Sequence, residues 1–216
     1  RRRGAVTPAG ADAHRQVLVA PERLAGWIER FAGRHGTLRW RPQDGRTALV
    51  AADGAAASFR LPAAGPPATD VDTLVARAVA YTDFGLVLVR RGGFAVGNVV
   101  AAELVASRCG TRYVQGQTKA GGWSQQRYAR RRANQADALV GAAAQAVTDV
   151  LAGTTGDLVC GGDRPLVRQV LEVCRLSGAL DRARPDWLEI GEPRRRVLQD
   201  GVTKARSVRI ELNAKA

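Results

Sequence analysis

The sequence predicts an α/β fold: a mixed sheet flanked by helices, preceded by a small N-terminal α/β unit. Three observations lead there. Short apolar runs rich in Val, Leu and Phe recur between Gly-containing turns, as strands do. Between them lie stretches whose apolar residues repeat at helical spacing. At 216 residues, with 45% hydrophobic and 25% charged content, the composition is ordinary for a globular chain that can bury a sizeable core.

The opening residues, Arg1 to about Ala13, carry Gly, Ala and Pro and read as a tail. The start at Arg1-Arg2-Arg3, in a chain without methionine, is not expected to be a native terminus. Residues 16–20 form a short apolar run, a strand. Pro21 opens a helix with Leu24, Trp27, Ile28 and Phe31 on one face, ended by Gly33 and Gly36. Residues 38–41, 47–51 and 58–61 read as strands joined by turns at Asp44-Gly45 and Asp53-Gly54. The Pro- and Ala-rich residues 62–68 have linker composition, which places the domain division between 1–65 and 66–216.

Thr69 or Asp70 caps a helix carrying Val71, Leu74, Val75 and Ala78. Residues 84–90 and 94–100 form a hairpin around Arg91-Gly92-Gly93, and the strand with Leu86-Val-Leu-Val89, apolar on both faces, belongs at the centre of its sheet. Residues 103–107 and 112–115 read as two further strands. A long helix follows, with Ala129, Ala133, Ala136, Val140, Ala143, Val147 and Val150 in one stripe. Gly153 and Gly156 stop it, and residues 157–160 form a buried strand ending in Gly161-Gly162. Asp163 caps a helix with Val167, Val170, Leu171 and Cys174 on its core face. Residues 187–190 and 207–212 read as late strands around the basic Arg194-Arg195-Arg196.

A formal net charge of +13 favours a polyanionic partner, with phosphate the usual anion. The charge concentrates around Lys119-Ala-Gly-Gly-Trp-Ser-Gln-Gln-Arg-Tyr-Ala-Arg-Arg-Arg132, a loop turning into a helix. Between Glu103 and Asp137 there is no acidic residue. Such a block repels itself unless phosphates neutralise it. Cys109, Cys160 and Cys174 are widely spaced, lack a CxxC pattern, and suggest neither a disulfide framework nor a zinc site. No apolar run reaches the roughly 18 residues of a membrane span, and no signal-peptide pattern is present, so the expected location is cytoplasmic.

Two chemistries fail on the residues. Gly116-Gln-Thr-Lys-Ala-Gly121 begins like a nucleotide-binding loop, but Gly122-Trp123 stand where Lys and Ser or Thr are required. Metal-dependent cleavage of phosphodiesters needs converging carboxylates, and Asp72, Asp83, Glu103, Asp137 and Asp163 form no recognisable cluster. An amide-rich site remains. Gln125 or Gln126 can hold a water by donating and accepting hydrogen bonds, Gly121 and Gly122 allow close backbone approach, and N–H groups at a helix start favour developing negative charge. Hydrolysis of an ester attached to RNA is the chemistry these residues suggest.

Residues 83–97, with their Arg90-Arg-Gly-Gly93 turn, resemble the hairpin opening the catalytic domain of eukaryotic and archaeal class-1 peptide release factors. The stretch from Lys119 to Arg132 resembles that family's Gly-Gly-Gln loop and following helix, and Asp157-Leu-Val-Cys-Gly-Gly162 its later strand. The similarity runs from about Asp70 to Leu180. Trp123 stands where the family's catalytic glutamine would fall; Gly122-Trp-Ser-Gln125 instead makes a Gly-x-x-Gln pattern. That pattern is similar to the diverged, VLRF-type branch of ribosome-quality-control peptidyl-tRNA hydrolases, whose bacterial members occur in actinobacteria.

The resemblance implies an RNase-H-like core and cleavage of the peptide–tRNA ester on stalled ribosomes or large subunits. It implies Gln125 as the water-orienting residue, with Gln126 as the alternative, and Gly121 and Gly122 as the loop that enters the site. Lys119, Trp123, Arg127, Arg130, Arg131 and Arg132 are expected to meet RNA. The expected partners are the large subunit, its rRNA and peptidyl-tRNA, without membrane, metal or cofactor, and with the chain a monomer. The stop-codon-reading domain is not recognisable in residues 1–65, so termination is not the expected role. The alternatives are a non-catalytic ribosome- or RNA-binding module and, less favoured, a metal-dependent nuclease.

Overall fold

The computed structural model describes residues 15–43, 46–111 and 123–216, with Gln43 and residues 123–133 described by their backbone alone. The expected N-terminal tail, the turn at Asp44-Gly45 and the strand at 112–115 lie outside the described residues. Two units are present: Arg1–Ala80 with Ser207–Ala216, and Tyr81–Arg206.

The first unit is an antiparallel sheet covered by two helices. Its strands are β1 (Arg15–Val19), β2 (Leu38–Gln43), β3 (Arg46–Ala51), β4 (Ala56–Arg60) and the last strand of the chain, β10 (Val208–Leu212). They stand in the order β1-β10-β4-β3-β2. A 3-10 turn at Pro21 leads into α1 (Leu24–His35), which buries Leu24, Ile28 and Phe31 on the sheet. α2 (Val71–Val79) adds Leu74 and Ala78 to the same core. Asp70 caps α2 by accepting the Thr73 N–H at 2.7 Å. By its contacts this unit runs to Ala80, and β10, inserted between β1 and β4, joins it from a distant part of the sequence.

The second unit has five strands: β5 (Phe84–Arg90), β6 (Gly93–Val100), β7 (Glu103–Thr111), β8 (Leu158–Gly162) and β9 (Ala183–Leu188). Their order is β7-β6-β5-β8-β9, with β6 antiparallel to its neighbours and β5, β8 and β9 mutually parallel. This is the expected RNase-H-like mixed sheet. β5 is central, and all its residues but Arg90 are buried. On one face, α3 (Trp123–Val150) and α4 (Arg164–Val173) bury Val140, Ala143, Val147, Val167 and Val170 against Val87 and Val89.

The opposite face corrects the sequence reading. The basic segment begins a helix, α5 (Arg195–Arg206), whose Leu198, Gly201 and Ala205 are buried. A β-carbon at Gly201 would stand 3.6 Å from the Leu86 side chain, so the helix backbone lies directly on β5. The ninth strand also starts earlier than read, at Ala183 instead of Trp187.

Candidate catalytic site

β7 ends at Thr111, opposite Gly93 of the β5–β6 hairpin. Thr111 therefore lies at the end of the sheet where β5, β8 and β9 present their C-termini. Ligands of open α/β sheets gather at that end. The chain is helical again from Trp123, and α3 continues for 28 residues, about 42 Å. Among its described side chains, the buried ones start at Leu139. Trp123 is sixteen residues before Leu139, about 24 Å along the helix axis.

Gln125, Gln126 and Arg127 therefore sit in the first turns of α3, with Arg130, Arg131 and Arg132 following, all on the described backbone. Their side chains, and that of Trp123, lie outside the description, as do Lys119, Gly121 and Gly122 entirely.

A cleft of about 500 Å³ opens at the same end of the sheet. Arg90 and Arg91 enter it from the hairpin, and its other walls come from Gly162, Asp163, the end of β9, Glu189 and Ile190. Asp163 caps α4 by accepting the Leu166 N–H at 3.3 Å, and Gly162, at φ +92°, supplies the turn into that cap. The Gly162 carbonyl accepts the Trp187 indole N–H at 2.9 Å. The Arg164 guanidinium lies 4.5 Å from the centre of the Trp187 ring. Arg90 donates to the Ile190 carbonyl at 2.8 Å, while Arg91 is exposed and 4.0 Å from Asp163.

Sequence reading gave Arg90, Arg91 and Arg164 no role. Arginines at a hairpin tip and at a helix start just after Gly-Gly were the available signal; their convergence needs the parallel pairing of β5 with β8.

Neither Cys109 nor Cys160 is an activated thiol. Cys160 is fully buried in β8, and burial pushes its thiol up to about 12. Cys109 is exposed on β7, and its thiol is also raised, chiefly by desolvation. Of the carboxylates, Asp83 accepts the Ala101 N–H at 2.6 Å and Asp163 serves as a cap. Among the described residues, no three His, Cys, Asp or Glu side chains are grouped to hold a metal ion. Among them, too, no helix is long and apolar enough to cross a membrane.

The family model of the Actinobacteria/chloroflexi VLRF1 release factor matches residues 82–211, more than half of the chain. The chain belongs to this family. The match takes in the second unit almost whole and most of β10. No curated protein matches the chain in sequence. Among solved structures, a crystal structure of the archaeal translation termination factor aRF1 is similar, at 12% identity and a TM-score of 0.39. That likeness covers 91% of this VLRF1-family chain and 65% of the archaeal factor, so the chain spans just under two thirds of that factor's length. A second structure, titled only as an archaeal protein, shares 13% identity over 92% of this chain and 68% of its own, with a TM-score of 0.33.

Proposed function

We propose that the chain is a peptidyl-tRNA hydrolase that cleaves the peptide–tRNA ester on stalled ribosomes or large subunits. It works in the cytoplasm as a monomer, without metal or cofactor. The observation that carries this reading is a juxtaposition within a release-factor family: Gly121-Gly122 directly precede α3, and Gln125 falls in that helix's first turn.

The ester is already activated, so the protein has to bring a water to its carbonyl carbon and accommodate the oxyanion. Gln125 orients that water through its amide, which both donates and accepts. The glycine pair lets the backbone approach the tRNA 3′ end. The N–H groups of the first turn of α3, which have no partner within the helix, favour the negative charge that develops on the carbonyl oxygen. The water's proton passes to the leaving 3′ oxygen of the tRNA as the ester bond breaks. Lys119, Arg127, Arg130, Arg131 and Arg132 hold RNA phosphates, and Trp123 stacks on a base. Arg90, Arg91 and Arg164 extend the basic surface at the same end of the sheet.

The test is single-turnover release of peptide from stalled ribosome–peptidyl-tRNA complexes. Gln125→Ala is expected to slow release by about 100-fold or more, with Gln126→Ala close to wild type and a chelator without effect. Loss in Gln126→Ala alone would transfer the water to Gln126. Full activity in both variants would sink the hydrolytic reading and leave a docking module. Loss of activity on chelation would point to the nuclease alternative.

A further inference from the structure

The first unit contains a cleft of about 210 Å³ beside α1, distant in sequence from the glutamine loop. Arg15 from β1 and Arg30 and Arg34 from α1 line it, all three exposed. Among the described residues no acidic side chain pairs with any of the three. Trp27 and Phe31 form an aromatic wall, their rings 5.2 Å apart and 13° from parallel. Leu212 and Ala216 complete the lining.

His35 also lines this cleft, with only 8% of its side chain exposed. Its Nδ1 lies 2.8 Å from the Asp53 carboxylate. That carboxylate is itself tied to the Ala55 N–H at 2.9 Å and held below its ordinary range, chiefly by that bond and then by His35. Asp53 is therefore ionised and accepts, so Nδ1 carries the proton. The other ring nitrogen, Nε2, is buried and has no partner. A buried polar atom is normally satisfied. The same residue lines a cleft to which three arginines bring guanidinium groups.

We propose that this cleft binds a phosphate group of an RNA strand. The guanidinium groups of Arg15, Arg30 and Arg34 donate to the phosphate oxygens. His35, at the edge of the same cleft, reports on its occupation. The charged groups around the ring are Asp53 and the three arginines. This site is separate from the release chemistry, and gives the first unit a part in RNA binding that does not depend on Gln125.

The chain has two histidines, so long-range 1H–15N spectra of the imidazoles read His35 directly. The full chain is titrated with a short single-stranded oligouridylate, and in parallel with inorganic phosphate. The expected result is that oligouridylate shifts the His35 ring signals, the Nε2 signal among them, in a saturable way. R30E/R34E, whose fold is checked by circular dichroism, should weaken that response by about tenfold or more. An Nε2 signal unmoved by RNA overturns the proposal, as does an equal response in a folded R30E/R34E. A response to inorganic phosphate but not to oligouridylate overturns the RNA source. Peptide release by Gln125→Ala answers the separate question of catalysis.

Discussion

At Gly162 a single hydrogen atom in place of a side chain decides whether the end of the sheet can close. The residue sits at φ +92°, which L side chains rarely adopt, and a β-carbon there would overlap the Val89 carbonyl oxygen. That same oxygen accepts the Asp163 N–H at 2.8 Å, so it cannot move aside without releasing the start of α4. The Gly162 carbonyl in turn fixes Trp187, on which Arg164 stacks. Gly162→Ala is therefore expected to cost about 3 kcal/mol or more, from strain and overlap together. Denaturant unfolding followed by Trp fluorescence would read the loss; a change below about 1 kcal/mol would mean that the turn relaxes in a way the geometry does not allow for.

Between β6 and β7 the chain reverses through two alanines, both at positive φ: Ala101 at 51° and Ala102 at 66°. Val100 pairs with Glu103, so this is a two-residue hairpin turn of the type that ordinarily takes Asn-Gly. Left-handed backbone costs an L residue roughly 1 kcal/mol. The turn is held from outside, by Asp83 on the Ala101 N–H and by the Thr82 carbonyl on the Ala102 N–H. A101N/A102G is expected to raise stability by about 0.5–1 kcal/mol, part of the gain being offset by glycine's greater freedom when unfolded. Calorimetry would show the midpoint rising by a few degrees; a lower midpoint would count against the strain.

Elements like these also show what the sequence could disclose. β5 and β6 were legible because runs of Val, Leu and Phe flank Gly-Gly, and α1, α2 and α4 because their apolar stripes are unbroken. The last helix was not legible. Leu198, Gly201 and Ala205 keep helical spacing, yet glycine is a poor helix former and the arginines around it read as loop. What favours a helix there is Leu86, which needs a neighbour small enough to lie flat on it. For the candidate site, the Gly-x-x-Gln pattern and the arginines after it are consecutive in sequence and could be read directly. The cleft that Arg90 and Arg91 enter beside Asp163 and the cleft that His35 lines are assembled from distant segments, so only the fold discloses them.

The whole chain is ordered so that its last strand completes its first unit. β10 lies between β1 and β4, pairing with both, and brings Val208, Ile210 and Leu212 into the core with Leu24, Leu49 and Phe59. Without it, β1 has no partner among the described strands, β4 becomes an exposed edge, and the core loses three buried side chains. Each such side chain contributes roughly 1.5–3 kcal/mol, so together they rival the entire stability of a small domain. The second unit has its own five strands and its own core, and none of them comes from beyond Arg206. Ending the chain after Arg206 is therefore expected to abolish hydrogen-exchange protection of the amides in β1, β3 and β4 while β5, β6 and β8 keep theirs. Protection lost throughout would show that the second unit depends on the first to fold. Protection retained in β3 and β4 would show that the first unit closes without its central strand, against the pairing that places β10 there.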